Sequence, residues 1–482
     1  MHGRFPKACA RGNARTLACG ILLARSIIAG QTLPLMASKP AALSPVPTTV
    51  EVSRPKDVLD PSRTYSLPEL IDFAQSRNPE TRIAWELAKQ RADQAGVARA
   101  ALYPTIAVAA LAQQDRHRVL FGSAFYRQDL TVVQPTLEVY YTVLDFGARR
   151  AGIEIARAGA LASEFTFNDA HRKLIYSVAA AYYRLNSALA QAGAAQATLT
   201  NAETVQAAVE ERLRNGLGTL PDVLEARSAT AQASYELETV RGLERLAHGQ
   251  LAESLGVRPT TIINVQSLDA SQTPILTGSA DAFIQRAIAQ RPDLMARATK
   301  LQATDAAIRS ARSQYFPKLS LSGSTDEQYQ RGFQPPGPSA SGIAPSWLLK
   351  MSSSWTVFDG RARYYELDRA RSERRQAESE LEGMADRVAD EVWAAYSNVQ
   401  TSLHRQDAAK ALFMAADQSY NAVLEAYRLG VKNFLDVVSA QRALAQARTA
   451  QVQSQAEVLT DFAQLAFATG DSASTKGGGT QP

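Results

Sequence analysis

Residue types that support catalysis are thinly spread along this chain. His117, His171, His248 and His404 lie far apart, and none belongs to a His-Glu-x-x-His pair that would set two imidazoles on one helix face for a metal. Gly216-x-Gly218 lacks the following Gly-Lys-Ser/Thr with which a glycine-rich loop cradles phosphate. The two cysteines, Cys9 and Cys19, fall within the first 37 residues, leaving no thiol elsewhere for a disulfide or a metal. These features argue against an enzyme and imply no cofactor. What the chain offers instead is charge placed repeatedly beside glycine. Arg214, Gly216, Asp222-Val223 and Ala226 return, in order, as Arg428, Gly430, Asp436-Val437 and Ala440.

The elements that carry these residues are themselves duplicated. Asn78-Pro79-Glu80 recurs as Arg291-Pro292-Asp293, Pro104 as Pro317, and Val143-Leu144-Asp145 as Val357-Phe358-Asp359, always 213–214 residues on. Self-similarity at a fixed long period marks a tandem duplication. Each copy opens with a capped helix: Ser66 with Glu69 forms a capping-box pattern, and Asn78 precedes a proline suited to the first helical position. Strand textures follow, at Thr105 to Leu120 and Gln128 to Leu144, and again at Lys318 to Gln330 and Trp347 to Phe358. Leu319-Ser320-Leu321-Ser322 alternates with the period of a half-exposed strand. Phe121-Gly122-Ser123 and Pro335-Pro336-Gly337-Pro338 read as the turns between them.

A very long helix comes next. No proline occurs between Pro135 and Pro221, or between Pro345 and Pro482. Leu174, Val178, Ala181, Leu185, Ala188, Ala192, Ala195 and Leu199 step by four and three, the spacing of a coiled-coil seam. A helix from Gly147 to Arg214 is about 100 Å long. It turns at Gly216 and returns as Asp222 to Leu255, and the second copy does the same around Gly430. The organisation expected is therefore a strand pair at 104–145 and a helix hairpin at 146–256 within a first repeat, 65–260. A linker, 261–278, leads to a second repeat, 279–470, with strands at 317–359 and a hairpin at 360–470.

The net charge of +5 suggests a nucleic-acid partner only at first sight. Residues 1–37 contain Arg4, Lys7, Arg11, Arg15 and Arg25 and no acid, so the remaining chain is neutral. This basic start followed by the apolar stretch Leu17 to Ala29 has the layout of a secretory signal peptide. The apolar stretch follows Cys19 instead of preceding it, which argues against a lipid-anchored cysteine. Residues 38–64 read as an irregular arm and 471–482 as a disordered tail. No apolar run outside the leader is long enough for a spanning helix, so any membrane crossing must use strands. Four strands cannot close a barrel, and an open edge in lipid leaves backbone groups unpaired. Copies of the same chain in a cyclic homo-oligomer would complete it.

These segments resemble the TolC family of outer-membrane efflux and secretion channels over residues 65–470. The resemblance is carried by Arg291-Pro292-Asp293-Leu294, by Ala311 through Leu321, by Phe358-Asp359-Gly360, and by Tyr427-Arg428-Leu429-Gly430 through Leu435-Asp436-Val437. It implies a mostly α chain with a transmembrane β-barrel. Three chains of four strands would make one 12-stranded barrel, continued by a long α-helical coiled-coil tunnel. The implied partners are two further copies, outer-membrane lipid, a periplasmic adaptor and, through it, an inner-membrane ABC transporter or antiporter. Within the family the chain looks like the outer-membrane component of a type I exporter of the cyclolysin toxin.

The resemblance also assigns roles. Gly216, Leu217, Leu429 and Gly430 stand at the hairpin tips that meet the adaptor, although a glycine there also simply permits the left-handed backbone that ends a helix. Asp222, Tyr427 and Lys432 match a polar lock that closes the periplasmic end. Lys432 stands where an arginine is typical, and it lacks the bidentate fork. Asp436 matches an acidic ring at the entrance, while Ser439 replaces a second acidic position. Asp145 and Asp359 read as helix caps, and Trp347, Trp355, Tyr140 and Tyr141 as either an aromatic girdle or ordinary packing. Two alternatives stand beside the toxin duct: a channel for small-molecule efflux, and a soluble periplasmic coiled-coil adaptor.

Overall fold

The computed structural model describes residues 59–268, 274–333 and 340–471. The leader, most of the irregular arm, the Pro335–Pro338 turn and the tail from residue 472 lie outside them. Among the described residues the order of elements is the same twice over. The first half has helices α1 (Leu67–Arg77) and α2 (Pro79–Ala100), strands β2 (Thr105–Phe121) and β3 (Ala124–Leu144), then α3 (Ala148–Arg214) and α4 (Leu220–Ser254). The second has α5 (Ala280–Gln290), α6 (Pro292–Ser313), β5 (Lys318–Phe333), β6 (Ala340–Ser354), α7 (Ala362–Arg428) and α8 (Phe434–Thr469). Both α3 and α7 are 67 residues long, about 100 Å at 1.5 Å per residue.

Local chemistry accounts for the boundaries. The Glu69 carboxylate accepts from Ser66 N at 2.9 Å and Ser66 Oγ at 2.8 Å, starting α1. Asn78 Oδ1 accepts from Glu80 N at 2.8 Å to start α2, with Pro79 at its first position. At the strand-to-helix junctions, Asp145 Oδ2 accepts from Arg149 N at 2.9 Å, and Asp359 Oδ2 from Arg363 N at 3.1 Å. Each arginine then reaches back to two carbonyls, Ala101 O and Val143 O in one half, Gln314 O and Val357 O in the other.

The sheet order is β2-β3-β5-β6, antiparallel throughout. Gly122-Ser123 closes β2 onto β3 in a two-residue turn, with Gly122 at φ 63°. Two features depart from expectation. Strand β6 begins at Ala340, ahead of the expected Trp347, and ends at Ser354, leaving Trp355 to Phe358 outside. Pro345 does not interrupt β6 because it lies at the sheet edge, where a missing N–H is tolerated. In addition, the arm and linker are tied together by a short parallel pair, β1 (Thr64–Tyr65) with β4 (Asn264–Val265).

The helical seam is buried from Leu174 to Ala188 and only half-buried from Ala192 to Leu199. There α4 and α8 separate over α3 and leave an open groove of about 730 Å³ lined by Gln191, Thr198, Gln232 and Gln441. At the far end the helices close again around Val205, Val209, Val223, Phe434, Val437 and Val438, which join the two hairpins.

Candidate functional site

Two regions carry the functional chemistry, and the first is the sheet. Residues directly opposite in an antiparallel pair share a face. The register therefore places Ile106, Val139, Gly323 and Leu349 in one row, and Val108, Leu137, Thr325 and Trp347 in the next. Tyr141, Leu321 and Met351 extend that face at one end, and Ala112, Val133, Tyr329 and Ile343 at the other. From Tyr141 to Val133 the band covers about nine residues of β3, the length of a tilted strand that crosses a bilayer. Val108 and Trp347 are 81% and 80% exposed, so nothing among the described residues covers them. One row breaks the pattern, with Glu327 opposite Pro345.

The opposite face is mixed, with Leu111, Val132 and Leu348 on it, and it is most polar in β5. In β5 it is Ser320, Ser322, Ser324, Asp326, Gln328 and Gln330. Ser346 Oγ donates to Asp326 Oδ1 at 2.6 Å, and the Ser320 and Ser352 hydroxyls lie 2.9 Å apart. Trp347 and Tyr141 lie on the apolar face and Tyr140 on the opposite one. Trp355 has left the sheet and donates to Tyr315 O at 3.1 Å. Of the four aromatics, then, two share the apolar face, Tyr141 at one end of the band and Trp347 in its middle row. Among the described residues no helix is long and apolar enough to cross a membrane.

The second region is the pair of hairpin tips. Helix α3 ends in a Schellman motif: Gly216 N bonds Leu213 O at 3.0 Å and Leu217 N bonds Arg212 O at 2.8 Å. Helix α7 ends identically, with Gly430 N to Tyr427 O at 3.0 Å and Val431 N to Ala426 O at 2.9 Å. Gly216 and Gly430 have φ of 74° and 76°, where only glycine is unstrained. Leu217 and Leu429 are both exposed at the tips.

The charged residues of the tips are divided differently from the expected lock. Asp222 closes a capping box on its own helix, its Oδ2 accepting from Thr219 Oγ1 at 2.7 Å and Thr219 N at 3.3 Å. Lys432 Nζ lies 3.5 Å from Asp436 Oδ2, one turn along the same tip. Within one chain, Asp222, Tyr427 and Lys432 therefore make no bond to one another. Tyr427 instead packs against Phe434, ring centroids 5.8 Å apart, and beneath the Arg212 guanidinium at 5.1 Å. Burial raises the Tyr427 hydroxyl pKa, the Arg212 charge opposes that shift, and the Asp222 charge adds to it. Arg212 was not among the residues singled out from sequence. Its partner lies 215 positions away, beyond any local pattern.

Among the described residues no group of histidine, cysteine, aspartate and glutamate is placed to hold a metal. The geometry is that of an amphipathic sheet whose β2 and β6 edges are unpaired among the described residues, and of long helices ending in paired tips.

Comparison with known proteins agrees. The family model described as Outer membrane efflux protein matches twice, over residues 70–257 and 283–471. The chain is 25% identical to Protein CyaE of Bordetella pertussis over 86% of each. It is 24% identical to the pyoverdine export outer membrane protein OpmQ of Pseudomonas putida, covering 88% of this chain and 93% of that one. A crystal structure of a membrane protein from Pseudomonas aeruginosa superposes with a TM-score of 0.74 at 25% identity, over 84% of this chain and 93% of the other. With the family model spanning both halves, the chain belongs to the outer membrane efflux proteins, the TolC family of transport channels, and is not an enzyme.

Proposed function

We propose that this chain is the outer-membrane exit duct of a tripartite export machine, passing a protein toxin outward in type I secretion. The observation that carries the duct is the sheet. Its apolar face suits lipid, its more polar face suits an aqueous lumen, and its edges β2 and β6 are unpaired among the described residues. Three copies supply twelve strands, enough for a barrel, and α3 and α7 continue it across the periplasm. A soluble coiled-coil adaptor has no use for an uncovered apolar sheet face. In this reading residues 1–37 are removed on export, the Gly216 and Gly430 tips meet the adaptor, and an inner-membrane transporter supplies the energy. Tyr427, set between the hairpins, belongs to the closed end. Asp222 lies beside it, and Asp436 forms an entrance ring with Lys432 partly neutralising it.

The toxin reading rests on the motifs that resemble a type I exporter and on the likeness to Protein CyaE. Small-molecule efflux is the second reading, favoured by a relative of nearly equal identity whose name states pyoverdine export. Reconstitution in a planar bilayer tests the duct: the detergent-purified protein is expected to conduct in long-lived steps and to have three times the chain mass. A protein that stays soluble without detergent and never conducts refutes it. Deleting the chain from its host separates the substrates. Loss of a secreted protein supports the first reading, and hypersensitivity to small toxic molecules alone supports the second.

A further inference from the structure

Arg212 occupies a position that neither helix ending nor surface charge explains. It sits on α3, four residues before Gly216, yet its side chain lies over a ring of the other hairpin. The neighbouring arginine behaves differently: Arg214 is exposed and pairs with Glu211 of its own helix at 2.5 Å. Arg212 Nε is the one buried side-chain nitrogen or oxygen without a hydrogen-bond partner among the described residues. Its Nη2 reaches only Leu217 O, at 3.5 Å. The guanidinium therefore leaves its Nε unpaired while it lies on Tyr427. Its backbone is held at the same time. Leu217 N bonds Arg212 O at 2.8 Å, and a Cβ added at Gly218 would come within 3.3 Å of Arg212 C and 3.1 Å of Leu213 N. Beyond the ring, Phe434 is 3% exposed and packs with Val223, Val437 and Val438 into the cluster joining both hairpins.

We infer that Arg212 is a positioning residue that clamps the first hairpin to the second through the face of Tyr427, keeping the tips together in the closed channel. The clamp uses the ring rather than the hydroxyl. A guanidinium over an aromatic face is attracted to its quadrupole, more strongly when water is excluded, and a lysine reproduces the charge without the flat stacking surface. The cation of the closure thus comes from α3, while Lys432 is engaged with Asp436. This inference rests on reading the tips as the closing end of the duct.

Two measurements on the full-length protein in detergent or bilayers test it. In single-channel recordings, Arg212→Met is expected to raise the open probability about tenfold, the scale of a partly desolvated cation–π contact. Tyr427→Leu is expected to do the same, and the double variant to add little, because both remove one interaction. Tyr427→Phe keeps the ring and should open the channel less than Tyr427→Leu. Arg212→Lys should fall between wild type and Arg212→Met, and Arg214→Ala should match wild type. Spin labels at Leu217→Cys and Val431→Cys, with Cys9 and Cys19 replaced by serine, read the tip separation without any conductance. Arg212→Met is expected to move their distance distribution outward. Unchanged distances and unchanged open probability in Arg212→Met overturn the clamp. A protein that never conducts but whose tip distances lengthen in Arg212→Met keeps the clamp and removes the duct.

Discussion

Asn78 and Arg291 occupy the same place in the two repeats, and the protein solves the same problem there with opposite chemistry. Each precedes the proline that opens a helix, α2 or α6, and each binds a carbonyl at the end of its own returning helix. Asn78 Nδ2 donates to Ser254 O at 3.1 Å, and Arg291 Nη1 to Ala468 O at 3.3 Å, at positions 214 residues apart. Glycines with positive φ lie against both, Gly256 beside Pro79 and Gly470 beside Arg291. Around Asn78 the surroundings are apolar: Leu251, Leu255 and Val257 are buried in one cluster with Leu70 and Val178. Around Arg291 they are ionic. Its guanidinium also donates to Asp293 at 2.6 and 3.1 Å and to Glu391 at 2.5 Å. Arg172 joins from α3, 3.5 Å from Asp293, with Nη1 to Phe467 O at 2.6 Å and its own Asp169 at 2.5 Å.

The difference follows from what each corner must join. The first corner closes a repeat on itself, where apolar packing suffices. At the second, α3 of one repeat docks against α6 and α8 of the other, and directional charge fixes their register. A buried ionic network adds little net stability, yet losing one member is costly because the others are left unpaired. The largest expected effect is therefore at Arg291. Arg291→Ala should destabilise the protein by about 3–5 kcal/mol, read as a fall in the urea midpoint of the purified protein. Asn78→Ala should cost about 1–2 kcal/mol, the scale of a lost cap. Equal losses at the two positions would break the contrast.

Acid should separate the corners in the next largest effect. Burial alone would raise the Asp293 carboxyl, but the Arg291 hydrogen bonds and charge outweigh it and hold the pKa below the ordinary value. Its stabilisation is thus complete above the unfolded pKa of about 3.9 and is lost as pH falls through the lower folded value. His171, one residue from Arg172 in the same pocket, is held below its ordinary pKa by burial. It contributes above about pH 6.5 and loses that contribution as pH drops through its depressed value. Hydrogen exchange should therefore accelerate at residues 287–295 and 465–470 on acidification, first near His171's titration and again below about pH 4. Residues 74–82 and 251–257 should change less. Asp293→Asn should remove the lower step, and equal acceleration at both corners would show that the network has no special acid response.

Much of this was legible in the sequence, for a reason these corners make plain. Helix lengths, the two glycine tips and the strand pairs depend on near neighbours, and period and turn chemistry reveal them. The Thr219-x-x-Asp222 capping box and the Lys432–Asp436 spacing of four are also local signals. Arg172, Asp293, Glu391 and Phe467 come from four distant segments, and no periodicity places a buried arginine beside a carboxylate more than a hundred positions away. Arg212 over Tyr427 was hidden for the same reason. The start of β6 was missed because Pro345 reads as a break unless its edge position is known.

The smallest expected effect is a symmetrical one, and it sharpens the contrast by serving as its control. A Cβ at Gly216 or Gly430 would meet nothing within 4 Å, so only the left-handed backbone opposes alanine there. Gly216→Ala and Gly430→Ala should each cost about 1 kcal/mol, and the two should match, because the Schellman bonds around them match. Gly218 and its repeat mate Lys432 should not match, since a Cβ at 218 would press on the Leu213 and Arg212 backbone while a lysine already occupies 432. If the tips answered only to their own helices, export would fall in step with these stability losses. Export that collapses in Gly216→Ala or Gly430→Ala, at a midpoint shift no larger than that small cost, assigns the bare glycine surface to contact with another molecule. Export that merely tracks stability leaves both glycines as helix terminators.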